Sequence, residues 1–176
     1  MAVGSQLSYC AEEVRRNDRD RFLTALFATP TLREHLYSLY AFNIEVSKTR
    51  EVVSEAMLGA IRLQWWREAI EAIYDKKPAR QHAVVQALEG TINACSLDRA
   101  YFEQLIDGRM LDLETSPPSD LAALLDYADA TSGCLIILAL QALGEKVDEA
   151  TEQIALEVGR AWSIVGMIRA MPYQLQ

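Results

Sequence analysis

Apolar positions in this chain recur at the three-and-four spacing of an α-helix, and no stretch alternates as a half-buried strand requires. Ser8 to Phe27 reads as a first helix, with Val14 isolated in a charged first half and Phe22, Leu23, Leu26 and Phe27 forming a stripe near its end. Thr29-Pro30-Thr31 interrupts the pattern. Thr31 followed by Glu34 fits a capping box, in which each side chain satisfies a free amide at a helix start. A second helix then carries Leu32, Leu36, Leu39, Phe42 and Val46, with Tyr40, Ile44, Ser47 and Glu51 on an adjoining stripe. A bend is expected near Val52-Val53. The third helix, Ser54 to Tyr74, is apolar over more than half its circumference through Ile61, Leu63, Trp65, Trp66, Ile70 and Ile73. A helix of that kind is expected to lie buried between others.

Asp75-Lys76-Lys77-Pro78 ends that helix, and Gln81 to Ala94 forms a fourth with Val84, Val85, Leu88 and Ile92. Ser96 is placed to cap a fifth, Leu97 to Leu113, with Tyr101, Phe102, Leu105, Ile106 and Leu113 apolar. The clearest loop is Ser116-Pro117-Pro118. Ser119 is placed to cap a sixth helix running to Leu143, with Gly144 just beyond its end. Its second half, GCLIILALQAL, is apolar all round and reads as the central core helix. A seventh begins near Asp148, puts Val158, Ala161, Val165 and Ile168 on one face, and is expected to stop at Pro172. There is no internal repeat and no glycine-rich phosphate loop. The pattern predicts one all-α domain over residues 1–176, with short connections.

Composition narrows the functional classes. The chain is 51% hydrophobic and 24% charged, an ordinary globular mixture. Its 17 basic against 25 acidic residues give a net charge of -8, which argues against nucleic acid as a partner and leaves no polybasic patch for anionic lipid. Cys10, Cys95 and Cys134 are far apart and form no CxxC pair. With only His35 and His82 as imidazoles, neither a zinc site nor a disulfide framework is expected, and a reducing cytoplasm fits. The first ten residues, MAVGSQLSYC, lack the basic and apolar regions of a signal peptide. The longest apolar run, Cys134 to Leu140, falls short of the roughly 18 residues of a membrane-crossing helix. Contact with a membrane would be peripheral at most.

Several strings carry a family likeness. Leu39-Tyr40-Ala41-Phe42 is followed by Trp66-Arg67. Then come Ile106 to Leu113, Leu125-Asp126-Tyr127-Ala128, Thr131-Ser132-Gly133, Gly159-Arg160-Ala161 and Ile168-Arg169. In this order they resemble the squalene/phytoene synthase family, and the resemblance covers nearly the whole chain. It implies an isoprenoid-synthase-like helical bundle. Members of that family use Mg²⁺ to strip diphosphate from prenyl substrates, and hard cations require carboxylates. Two acidic clusters would follow Tyr40-Ala41-Phe42 and Ile168-Arg169. The first set of positions holds Ser47, Lys48 and Glu51, and the second holds Ala170, Tyr173 and Gln174, so a single carboxylate remains.

The likeness is therefore greatest to the non-catalytic, complex I assembly factor branch of the family. That branch shares the YAFN string and the ending Arg169-Ala170-Met171-Pro172-Tyr173. It implies a pseudoenzyme without a catalytic residue or resident metal, binding an isoprenoid-like lipid or a respiratory-complex subunit in an apolar cavity, in the cytoplasm or beside the inner membrane (the matrix side in a eukaryotic relative). An active prenyl transferase using Mg²⁺ and a ligand-free helical interaction module are the alternatives. Family members continue into further helices, so a bundle shortened at its C-terminus is expected.

The candidate binding residues are Arg21, Phe22, Tyr40, Asn43, Ser47, Glu51, Tyr127 and Arg169. Arg21-Phe22 falls where the family contacts diphosphate, although Arg15, Arg16, Arg19 and Arg21 also fit a solvated face. Tyr40 and Asn43 suit a pocket lining or core packing equally. Arg169 suits a phosphate or headgroup, because a guanidinium forms bidentate bonds to such oxyanions, and equally a salt bridge to Glu51. Trp65 and Trp66 fit the core better than a ligand cage. Asp107 and Asp112 are polar pocket candidates, with Arg109 as the competing partner of Asp112. His35 is expected on the surface.

Overall fold

The computed structural model describes residues 7–174, with side chains as far as Met171. The opening MAVGSQ segment and the side chains of Tyr173 and Gln174 lie outside the described residues. Helices α1 (Tyr9–Asn17), α2 (Arg19–Ala25), α3 (Pro30–Ser47), the short α4 (Thr49–Val52), α5 (Ala56–Tyr74), α6 (Ala83–Cys95) and α7 (Arg99–Met110) follow in order. After a 3-10 turn (Leu111–Leu113) come α8 (Leu121–Ala128), a π-helical segment (Asp129–Gly133), α9 (Cys134–Ala142) and α10 (Glu149–Gln174). No strand occurs among the described residues.

Side-chain caps move several boundaries from where periodicity put them. Asp18 splits the expected first helix: its N–H closes α1 on the Val14 carbonyl, and its carboxylate accepts the Arg21 amide at the start of α2. Of the stripe expected there, Phe22 stacks on Tyr37 at 5.3 Å, whereas Leu23, Leu26 and Phe27 are exposed. The capping box at Thr31 does not form, because Pro30 begins α3 with its fixed φ and no amide to satisfy. Asp98 rather than Ser96 caps α7, accepting the Ala100 amide. Ser96 instead ends α6 in the left-handed conformation, φ 52°. Asp120 rather than Ser119 caps α8 through the Ala123 amide. Gly144, at φ 86°, closes α9 as expected. Pro172 does not stop α10, which continues to Gln174.

The core gathers Val14, Leu36, Leu39, Phe42, Leu63, Trp66, Leu88, Phe102, Leu105, Ile106, Leu135 and Leu138. Phe42 sits at its centre, edge-on to Trp66 and to Phe102, both at 5.5 Å. Trp65 borders the core, with Arg80 over its ring at 4.9 Å, so both tryptophans serve packing. Helix α9 is the expected central helix. The apolar run of α9 extends back through α8, and Leu121–Ala142, with mean hydropathy 1.5, is long and apolar enough to cross a membrane. The α9 half of that stretch is buried against protein. Cys10 and Cys134 are buried and Cys95 half-buried, all as free thiols.

The helix expected to be buried all along its length is open at its start. Met57 and Ile61 at the start of α5 are 71% and 61% exposed. The face of α10 holding Val158, Val165 and Ile168 is also exposed. His35, expected on the surface, is half-buried, with Nδ1 3.0 Å from the Thr91 hydroxyl.

Candidate functional site

The family positions converge where α2, the C-terminal half of α3, α7, the π segment and α10 meet. A cavity of about 620 Å³ there is lined by Arg21, Asn43, Ser47, Lys48, Glu51, Arg109, Tyr127, Thr131, Ser132 and Trp162, among others. Five of the eight candidates, Arg21, Asn43, Ser47, Glu51 and Tyr127, therefore share one site. The lining is largely polar, contrary to the apolar cavity the sequence suggested. The physical reason is that α3 and α7 turn Phe42, Leu105 and Ile106 into the core and leave Asn43, Ser47 and Arg109 facing the opening.

Glu51, four residues beyond Ser47, lies past the α3–α4 bend in the last turn before Val53. It lines the cavity together with Asp18, whose carboxylate is taken up by the amide and guanidinium of Arg21, and no second acid of the expected cluster stands beside it. Lys48 is held by Glu45, which is buried and also receives Arg62 at 2.5 Å. Removing either cation would strand part of a buried negative charge, so the structure keeps Lys48 where a carboxylate would be needed. One carboxylate, a hydroxyl and an ammonium group do not make a Mg²⁺ donor set. Among the described residues no cluster of three or more His, Cys, Asp or Glu side chains is placed to hold a metal. On α10, Ala170 supplies no ligand either.

On the cavity wall lies a network that the sequence only half disclosed. The Tyr127 hydroxyl donates to Asp112 Oδ1 at 2.7 Å and accepts from Arg109 Nη1 at 2.7 Å. Arg109 also donates to Asp112 Oδ2 at 3.2 Å and reaches Asn43 Oδ1 at 3.5 Å. Arg109 Nε is buried without a partner among the described residues. Burial pushes the Tyr127 hydroxyl up to about 12, with Asp112 adding to the shift and Arg109 opposing it. The pairing of Arg109 with Asp112 was expected from the sequence, and it forms. That Arg109 also joins Tyr127 and Asn43, as the hub of the wall, was not.

Arg21 bonds Asp18 at 2.6 Å and lies over two rings, Tyr40 at 5.7 Å and Trp162 at 4.8 Å. Tyr40 therefore backs Arg21 rather than lining the cavity, and burial raises its pKa despite the nearby cation. Phe22 is a packing residue. Arg169 pairs with Asp20 at 2.8 Å instead of Glu51, on a neighbouring cleft between α2 and α10. Asp107 binds Arg67 outside the cavity, across α5 and α7.

The π segment fixes the fourth wall. Arg160 clasps Asp129 through two bonds of 2.7 Å. Gly159 lets α10 approach so closely that a Cβ there would lie 2.5 Å from the Gly133 nitrogen. The extra residue in the π turn presents Thr131 and Ser132 to the cavity.

The squalene/phytoene synthase sequence profile matches residues 14–176. The mouse protein named NADH dehydrogenase (ubiquinone) complex I, assembly factor 6 is 32% identical over 170 residues, covering 97% of this chain and 50% of that protein. Its human counterpart is 30% identical, covering 94% and 49%. The chain thus spans about half the length of the curated relatives it matches. A squalene synthase structure from Alicyclobacillus acidocaldarius superposes with a TM-score of 0.82 at 22% identity, covering 94% of this chain and 61% of that one. A dehydrosqualene synthase bound to a ligand gives 0.80 at 16%, covering 95% and 58%. At these identities the two structures establish the fold alone.

Proposed function

The chain belongs to the squalene/phytoene synthase family, and from that premise we propose that it has lost prenyl transfer and acts in the assembly of respiratory complex I. The observation that carries the first half is the Lys48–Glu45–Arg62 cluster, which puts a fixed cation where the reaction needs a metal-binding carboxylate. The relatives support the second half, since those from mouse and human are named as assembly factors of that complex. In this reading the cavity is a binding site. Arg21, Asn43, Arg109 and Tyr127 offer hydrogen bonds to the polar end of a lipid or to a peptide segment, and Glu51 adds one negative charge at the rim. The protein would work beside the inner membrane, where the complex is built.

Deletion of the gene followed by native-gel quantification of complex I tests the assembly role. Loss of assembled complex, restored equally by the parent and by Glu51→Gln, supports a function that does not need the remaining carboxylate of the cluster. Unchanged complex I after deletion overturns it.

A further inference from the structure

Away from the family cavity, α1, α3 and α6 border a second cavity of about 340 Å³, lined by Tyr9, Cys10, Glu34, His35, Ala87 and Thr91, among others. A chain of hydroxyls behind it fixes the state of its imidazole. The Ser38 hydroxyl donates to the His35 carbonyl at 2.8 Å, since a carbonyl oxygen can only accept. Ser38 has one proton, so in its 2.7 Å bond with Thr91 it accepts and Thr91 donates. Thr91 has then used its own proton, and it accepts from His35 Nδ1 at 3.0 Å. Ser38 and Thr91 are buried, so bulk water does not compete for these bonds. Neutral His35 is therefore the tautomer with its proton on Nδ1. With Nδ1 turned to Thr91, Nε2 and its bare lone pair are left to the cavity.

The cavity offers acceptors and negative charge. Glu34 lines it beside His35, and no Lys or Arg does so among the described residues. Burial pushes the Cys10 thiol up to about 12, and Glu34 and Glu13 add to that shift, so the field inside is negative. A metal ion is a poor occupant. Among the described residues no three His, Cys, Asp or Glu side chains are grouped to hold one. The space also matches roughly ten waters, far more than a bare ion fills. We propose that this cavity binds a small free primary amine as its ammonium ion. One N–H is donated to His35 Nε2 and another to the Glu34 carboxylate, while the carbon body lies against Ala87 and Tyr9. Thr91 acts as a positioning residue, holding the imidazole lone pair toward the ligand. A phosphate-bearing amine, such as a lipid headgroup, would meet the same negative field and is the poorer fit.

Titrating the full chain, labelled with nitrogen-15 in its histidines, with n-propylammonium, n-propanol and propionate tests the inference. The three probes share a carbon body and differ in charge, and ionic strength is held constant. Long-range proton–nitrogen correlation reads each imidazole nitrogen at a pH where imidazole is neutral. His35→Gln identifies the signals that belong to His35. In the parent, Nδ1 should carry the proton, and the Nε2 signal should move saturably with propylammonium alone. Glu34→Gln changes an exposed residue, so the fold should be kept. It should weaken propylammonium binding about tenfold, the effect of one charge-assisted hydrogen bond. Thr91→Val should weaken it too, with the Nδ1 proton no longer fixed. Should Thr91→Val fail to fold, Glu34→Gln decides. A parent with its proton on Nε2 overturns the proposal. So does the absence of a saturable response to propylammonium, an equal response to propanol or propionate, or unchanged affinity in Glu34→Gln.

Discussion

Substituting Gly159 by alanine tests whether α10 really seats on the π segment at backbone distance. A Cβ at this position would stand 2.5 Å from the Gly133 nitrogen, 2.6 Å from the Gly133 Cα and 3.0 Å from the Ser132 carbonyl carbon. All three obstacles are backbone, so no rotamer change relieves them, and α10 must move away from the cavity wall. Overpacking of this severity costs about 3 kcal/mol, the upper end of its usual range. The gain in helix propensity from Gly to Ala returns about 1 kcal/mol. The net of about 2 kcal/mol should lower the melting temperature by about 4–8 °C in a protein of this size. Gly166 on the same helix provides the control, since nothing lies within 4 Å of a Cβ there. Gly166→Ala should leave the melting temperature unchanged or raise it by a few degrees, about 1 kcal/mol at most. Thermal unfolding followed at 222 nm reads both. A Gly159→Ala protein that melts with or above the parent would refute the close seating of α10, and with it the described shape of the fourth cavity wall.

Further outcomes follow from the same geometry. Tyr127→Phe removes a hydroxyl shared by Asp112 and Arg109, so chemical denaturation should show a loss of about 1 kcal/mol, with the Arg109–Asp112 pair still formed. Burial pushes the Cys10 and Cys134 thiols and the Tyr127 hydroxyl up to about 12. Raised folded-state values mean that the protonated forms stabilise the fold. Their contribution is complete below the unfolded values near 9 and 10 and is lost as pH rises toward 12. Melting temperatures measured across pH 8 to 11 should therefore fall, with Ellman-reactive thiol appearing only on unfolding for Cys10 and Cys134. Ser47→Asp/Lys48→Asp would place two carboxylates beside Glu51 and release Glu45 from one partner. Isothermal titration with Mn²⁺ should detect binding to this variant and none to the parent.

The sequence disclosed the helices and most of the core because these depend on periodicity, which is local. Leu36, Leu39, Phe42 and Val46 were legible as a buried stripe, and they are buried. The helix ends were less legible because several polar residues competed for each cap. Asp18, Asp98 and Asp120 won over neighbours whose side chains were equally plausible. The π segment left no signal in the apolar pattern, since one extra residue in a turn alters register without altering composition. In the site, Asn43, Ser47 and Glu51 could be grouped by helical spacing from a single motif. The partner of Arg169 could not, because Asp20 lies 149 residues earlier. The wider role of Arg109, beyond its expected pairing with Asp112, was overlooked for a related reason. Its importance comes from Asn43 and Tyr127, brought together by packing of α3, α7 and α8 rather than by any motif. The start of α5 was misread as buried because an apolar stripe is buried only where a neighbouring element packs on it, which periodicity does not report.

The central claim is that the scaffold of a prenyl synthase persists here without its metal-binding face. Incubating the full chain with farnesyl or geranylgeranyl diphosphate, with and without Mg²⁺, and measuring released diphosphate tests it most directly. The account predicts release no faster than in the protein-free control under either condition. Metal-dependent release that disappears in Glu51→Gln would contradict it, and would show that Glu51 recruits the ion without the missing members of its cluster.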